Sequence, residues 1–405
     1  MSQPISKPEI PFYRIVLPLA VAETLVWAAV YYMFPALLLT WETQLPWSKA
    51  ELSGAFTLAI VVSALLAPVV GRLIDHGQAS KSFTGAAILA TVMLVLLSFV
   101  QALWQFYVIW FFLGVAMSGM LYEATFTVLT RAMGEQRKRA ITLVTLVAGF
   151  AGTLSFPGNA FLIGQIGWRN TMYVLAAIVA LVAAPLIWYA CRLAERIQPN
   201  KAISTSKTAV SPLIVLKKPV FWLLAVGFIT LALDHGMLLT HLLPLLDERG
   251  VSGETAVFAA SMIGPMQVTG RLLMMFTERY LATLQVFAAC FIALVLASIA
   301  LFSATSIPIL LAVFIFFQGT GAGVTSIMRP LVISELLGSE NFGVIAGMLA
   351  IPFLIGAAAA PTVAALIWEA GGYGLVIQVA GGAIIVGFAA LLLAAAQVKS
   401  QEAAV

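Results

Sequence analysis

The chain has 405 residues, 62% of them hydrophobic and 9% charged, with a formal net charge of +4 at pH 7. Soluble domains average about 45–50% apolar and about 25% charged residues, so no soluble core absorbs this much apolar surface. Membrane spans need about 20 residues each, so about twelve of them fill the chain and leave no length for a soluble catalytic domain.

The basic residues are spread over loops, which excludes a nucleic-acid footprint. Cys191 and Cys290 lie in separate apolar runs, which indicates neither a disulfide framework nor a zinc site. After a polar start, Met1 to Pro11, the apolar run from Arg14 to Leu39 is far longer than a signal-peptide core and reads as a retained helix. Charge, Pro/Gly and turn chemistry then divide the chain into helices over 14–40, 50–73, 83–101, 104–129, 140–163, 168–190, 219–245, 254–276, 281–303, 307–330, 341–367 and 373–396.

The expected inner loops collect Arg72, Lys81, Arg131, Arg137, Lys138, Arg139, Arg192, Arg196, Lys201, Lys207, Lys217, Lys218 and Arg279, against Lys49, Arg169 and Arg249 outside. Positive charge stays inside, so both termini are expected in the cytoplasm of a cell (inner) membrane. The longest polar connection, with Ser and Thr between Lys201 and Lys207, falls at mid-chain. The expected architecture is an all-α integral membrane protein with twelve transmembrane helices in two pseudo-symmetric six-helix bundles. These are 1–190 and 219–405, joined by a cytoplasmic linker, 191–218.

A repeat supports the division. Trp47-Ser48-Lys49-Ala50-Glu51 opens the second helix and leads to Gly71-Arg72-Leu73, while Val251-Ser252-Gly253-Glu254 opens the eighth and leads to Gly270-Arg271-Leu272. Many secondary transporters are built from such internal repeats, with the substrate near the midplane.

These residues resemble the major facilitator superfamily over nearly the whole chain. The loop Gly71-Arg72-Leu73-Ile74-Asp75-His76-Gly77 is similar to that superfamily's signature, Gly-x-Leu-x-Asp-Arg-x-Gly-Arg-Lys, with His76 in place of Arg and the next Gly one residue early. Tyr32-Met33-Phe34-Pro35, Trp47 to Glu51, Gly167-Trp168-Arg169 and Gly270-Arg271 together resemble the monocarboxylate-transporter-like branch and its bacterial relatives. Animal members carry a Lys after the Phe-Pro and an Asp four residues before the helix 8 Arg; Ala36 and Gln267 stand there. The resemblance implies that helix 4 borders the transport cavity and that Gly71 and Asp75 form an inner-gate latch between the halves.

An ionisable side chain inside a span costs about 2.5 kcal/mol or more at the centre, which marks each one as a functional candidate. Glu23, nine residues into the first helix, is a proton-coupling candidate or a carboxylate hydrogen-bonded between packed helices. Trp27 and Tyr31 share its helical face and either line the substrate pathway or pack. Glu123 lies eight residues before Arg131 and is a second proton candidate, with a fixed ion pair as the alternative.

Arg271 follows Ser252 by 19 residues where Arg72 follows Ser48 by 24, so it sits roughly 7.5 Å deeper in the membrane. Its planar fork suits a carboxylate, which makes it the candidate anion clamp, with Gln267 one turn before it; a snorkelling structural Arg is the alternative. In the seventh helix Asp234 and His241, seven apart, share a face as proton-coupling candidates, while the adjacent His235 points elsewhere. Arg329 is expected at the inner end of helix 10, before Pro330, as a gate residue, with Glu335 in the following loop.

Two functions compete. One is proton-coupled transport of a small organic anion, monocarboxylate-like, by alternating access; the other is proton-driven efflux of an amphipathic or cationic compound. The loops hold no phosphate loop, Ser/His/Asp grouping or His-rich zinc motif, so no enzyme activity, cofactor or metal is expected. The expected partners are the solute, protons and membrane lipid, with the chain acting as a monomer.

Overall fold

A computed structural model describes residues 12–197, 216–304, 307, 309–338 and 342–403, and every regular element among them is helical. Eight helical stretches among the described residues are long and apolar enough to cross a bilayer; Leu103–Ile197 and Ile345–Val398 far exceed the length of a single span.

α1 (Phe12–Val26) passes through a π-helical turn, Trp27–Tyr31, into α2 (Met33–Gln44). Pro35 has no N–H to offer the Tyr31 carbonyl, and the ladder widens just before it, with Tyr32 N–H reaching Trp27 O at 2.8 Å. α3 (Lys49–Asp75), α4 (Ala79–Leu97), α5 (Leu103–Ser118), α6 (Tyr122–Met133), α7 (Arg137–Ala148) and α8 (Ala151–Ile178) follow. A second π turn, Val179–Ala183, again precedes a proline, Pro185, and leads into α9 (Ala184–Ile197). The chain continues with α10 (Pro219–Thr240), α11 (Leu242–Glu248), α12 (Gly253–Thr277), α13 (Thr283–Ser303), α14 (Ile309–Leu337) and α15 (Phe342–Ala403).

Two of these are bent pairs. α8 turns at Gly167 (φ 75°) and α15 at Gly372 (φ 68°), a region that side chains with a Cβ rarely enter. A buried aromatic follows each, Trp168 and Tyr373. The helix openings repeat too. Ser48 and Glu51 form a reciprocal capping box at α3, at 2.8 and 3.2 Å, and Ser252 Oγ accepts from Thr255 N–H at 3.4 Å at α12.

Several expected boundaries move. The helix expected over 104–129 is split between α5 and α6, that over 140–163 is interrupted at Gly149 and Phe150, and that over 219–245 breaks at His241. The sixth expected helix runs on to Ile197, and residues 198–215 of the expected linker lie outside the described residues. The stop expected at Pro330 is overridden. α14 continues to Leu337 because Val332, Ile333 and Leu337 bury in the second unit's core, which outweighs one missing hydrogen bond.

The chain forms two compact units, interleaved in sequence. One holds Met1–Tyr32, Val62–Ala151 and Leu162–Ser204; the other holds Met33–Val61, Gly152–Phe161 and Thr205–Val405. Large apolar side chains point outward, among them Leu65 (71% exposed), Phe161 (67%) and Leu181 (75%). Soluble monomers do not carry such a surface, and lipid tails cover it. Helix contacts inside rest on small residues. A Cβ on Gly270 would stand 2.7 Å from Thr320 Cα, and one on Gly323 2.6 Å from Gln267 Cα, so α12 and α14 approach backbone to backbone.

Candidate functional site

In the first unit the centre is Glu23. It is buried on α1, and its two carboxylate oxygens accept hydrogen bonds from Thr125 Oγ1 of α6 and from Trp27 Nε1, the latter at 3.0 Å. The π turn that begins at Trp27 shifts the ring register. Trp27 lies 4.8 Å from Tyr31, 6.2 Å from Tyr32 and 4.7 Å from Tyr122 between ring centroids, and Tyr122 stacks on Phe126 at 5.1 Å. A carboxylate thus sits at the edge of an aromatic group drawn from two helices. Glu123 is exposed on the first unit.

In the second unit two polar groups are buried among α10, α12 and α14. Asp234 of α10 has no exposed surface, and its Oδ2 accepts from Gln318 Nε2 of α14 at 2.9 Å. Asp234 Oδ1 and Gln318 Oε1 are buried and meet no donor among the described residues. Arg271 is buried on α12, and its Nε donates to the Gly323 carbonyl of α14 at 3.1 Å. That bond needs the close approach of Gly323 to Gln267, itself buried one turn before Arg271. Arg72, the corresponding residue of the repeat, is exposed, and its Nε donates to Pro68 O of its own helix at 3.3 Å.

His241 is not brought to Asp234. It follows the last residue of α10, with Nε2 2.8 Å from the Pro361 carbonyl and Nδ1 3.1 Å from the Tyr373 hydroxyl. A carbonyl only accepts, so Nε2 carries the hydrogen and Nδ1 takes the tyrosine proton. Both ring nitrogens are thereby committed to holding α15.

The sequence profile of the Major Facilitator Superfamily matches residues 19–297, more than half of the chain. The chain belongs to the Major Facilitator Superfamily.

It is therefore a multi-pass membrane transporter and not an enzyme. Its fold is similar to that of a bacterial homolog to the human lysosomal transporter Spinster, solved in an inward-facing, occupied conformation. The TM-score is 0.69 at 16% identity, covering 94% of this chain and 96% of that one. The inward-facing, unoccupied structure of such a homolog gives 0.63 at 17% identity, covering 97% of both chains. Comparison with curated proteins finds no match.

The residues expected to gate the transporter have separate settings. Asp75 pairs with Arg131 of the same unit at 3.0 Å, and Arg131 also donates to Ile74 O at 2.9 Å. A Cβ on Gly71 would meet open space. Arg329 is inside α14, not at its end, with its guanidinium 3.5 Å from the centre of the Phe353 ring; Glu335 is likewise helical. The correction follows from the continuation of α14 through Pro330.

One group escaped the sequence reading. Lys49, counted there as an outer-loop charge, is 4% exposed. Its ammonium lies 3.2 Å from Glu42 Oε1 and 3.5 and 4.5 Å from the centres of the Trp368 and Tyr373 rings. Glu248 in turn accepts from Trp368 Nε1 at 2.6 Å and from Tyr373 N–H at 3.4 Å. Gln318 and Thr125 were also missed. Gln318 is the lone amide in the apolar run Phe314 to Gly319, so the rule applied to buried charges would have found it had it been extended to amides.

Proposed function

We propose that this transporter moves a small organic anion, of monocarboxylate type, coupled to protons and by alternating access. The observation behind the reading is Arg271, a guanidinium buried in the interior of a membrane protein with its Nε fixed by the Gly323 carbonyl. With Nε so held, the plane of the fork is set, and the terminal amino groups are the ones that meet a carboxylate in the bidentate manner. Gln267, one helical turn away, adds an amide beside it. The resemblance to the monocarboxylate-transporter-like branch points the same way. Glu23, Glu123 and Asp234 are the carboxylates able to take up the proton.

In this reading the helices make twelve spans in two halves, 1–190 and 219–405, with the 191–218 linker and both termini on the cytoplasmic side of the cell (inner) membrane. The transporter works as a monomer. The ends of α2 and α3 are held to the second half by Lys49 against Trp368 and by Thr362 bonded to Thr57 at 2.8 Å, and α8 by Thr153 bonded to the Ser261 carbonyl at 2.8 Å. Gly71, Asp75 and Arg329 act on the inner side.

The aromatic group of Trp27, Tyr31, Tyr32 and Tyr122 beside Glu23 favours a second reading, efflux of an amphipathic cation held against a carboxylate and rings. A thermal-shift screen of the purified protein with small acids and with lipophilic amines separates the two. The anion reading expects stabilisation by an acid, lost in Arg271→Ala and partly kept in Arg271→Lys. Stabilisation by amines alone, unchanged in Arg271→Ala, would replace it with the second reading.

A further inference from the structure

Two buried oxygens of one hydrogen-bonded pair in the second unit meet no donor among the described residues. Asp234 Oδ1 and Gln318 Oε1 each have no donor, while the other atoms of the same two groups, Oδ2 and Nε2, already bond at 2.9 Å. A carboxylate and a primary amide joined through one N–H···O bond form a closed eight-membered ring when a single proton is placed on the second carboxylate oxygen. That proton donates to the amide oxygen, and one hydrogen satisfies both orphaned acceptors. A buried polar group without a partner is rare enough in proteins to require such an explanation.

From this juxtaposition we infer that Asp234 is the residue that holds the coupled proton, on Oδ1, and that Gln318 is its positioning residue. The inference rests on the reading of the chain as a proton-coupled transporter and selects one of its three carboxylates. The step is balanced: the carboxylate takes a proton from hydronium, releases water, and returns the proton to water on the opposite side.

The surroundings favour a proton over a metal cation. Hard cations gather about six oxygens, and Asp234 Oδ1 and Gln318 Oε1 are two. α10 is packed closely on α15, where a Cβ on Gly236 would stand 2.5 Å from that of Ala360. Among the described residues no ion pair involves Asp234. Beside it on α10 is His235, at the end of that helix His241 is engaged with Tyr373 and Pro361, and on α12 Arg271 is engaged with Gly323. Arg329 and Glu335 lie 11 and 17 residues beyond Gln318 on α14. On α11 the acids are Asp247 and Glu248, on α2 Glu42, and on α15 Glu369 beside the bend, all near helix ends. Glu23 differs in that both its oxygens already have donors. Its site is complete without a proton.

Infrared difference spectroscopy of the purified full-length protein between about pH 5 and pH 9 reads the acid directly through its C=O stretch. The expected result is a carboxylic-acid band in the wild type that is lost in Asp234→Asn and shifted to higher frequency in Gln318→Leu, which retains the acid but not the amide. An unchanged band in both variants overturns the assignment, as does a band whose pH midpoint moves when choline is replaced by sodium. Labelled lactate uptake into proteoliposomes under a pH gradient separates the failures. Wild-type uptake that Asp234→Asn leaves intact removes Asp234 while sparing the transport reading. An Asp234-dependent band without any uptake of lactate or other monocarboxylates keeps the proton site and removes the anion.

Discussion

The ammonium of Lys49 lies 3.5 Å from the centre of the Trp368 ring, and Thr362 Oγ1 donates to Thr57 Oγ1 at 2.8 Å across a sequence separation of 305. A lysine so placed exchanges its hydration for Glu42 and two ring faces. Removing one partner of a fully buried pair costs about 3–5 kcal/mol. Glu42 keeps 25% of its side chain exposed, so Lys49→Met is predicted to cost about 2 kcal/mol. The melting temperature in detergent should fall, and Lys49→Met with Glu42→Gln should recover part of the loss. A double variant no better than the single one would dissolve the pair.

Gly323 and Gly71 make opposite predictions. Alanine at 323 would overlap the Gln267 backbone and push α12 from α14, at a cost of about 1–3 kcal/mol or more. It would also displace the carbonyl that holds Arg271. Alanine at 71 meets open space and should change stability by no more than about 0.5–1 kcal/mol. Melting curves of the two variants, recorded side by side, check the contrast.

Much of the fold was legible because bilayer chemistry writes itself in composition: the apolar runs and the caps at Ser48 and Ser252 follow from the sequence. The helix ends were less so. Pro330 reads as a stop in isolation, yet burial of Val332 and Ile333 keeps α14 going. At the candidate site the charges stood out and their partners did not. Thr125 and Gln318 are ordinary polar residues until folding sets them against Glu23 and Asp234, and spacing along one helix wrongly coupled Asp234 to His241, which the break after Thr240 separates.

Thr125 and Thr127 are two residues apart on α6 and should respond differently to valine. Thr125 donates to the buried Glu23 carboxylate, whereas Thr127 donates to the Glu123 carbonyl of its own helix. Thr125→Val strips a donor from a buried acid and is predicted to cost about 1–3 kcal/mol; Thr127→Val should fall well below that. Equal melting temperatures for the two variants would mean that Thr125 contributes nothing to holding Glu23.

The Asp75–Arg131 pair is expected to matter less for stability than its ion-pair geometry suggests. The Asp75 side chain is 48% exposed, and Arg131 keeps its bond to Ile74 O without it. Asp75→Asn is predicted to cost about 0–1 kcal/mol, and less at high salt. Arg131→Ala, which also strips the Ile74 carbonyl, should cost more, and thermal unfolding at low and high ionic strength tests both.

Proton-coupled movement of an organic anion is tested most directly in proteoliposomes containing only this protein, by following labelled monocarboxylates with and without an imposed pH gradient. Uptake should exceed that of empty vesicles, rise with the gradient, collapse when a protonophore dissipates it, and vanish in Arg271→Ala. Uptake no greater than in empty vesicles for every acid tried, or uptake indifferent to both the gradient and Arg271, would contradict it.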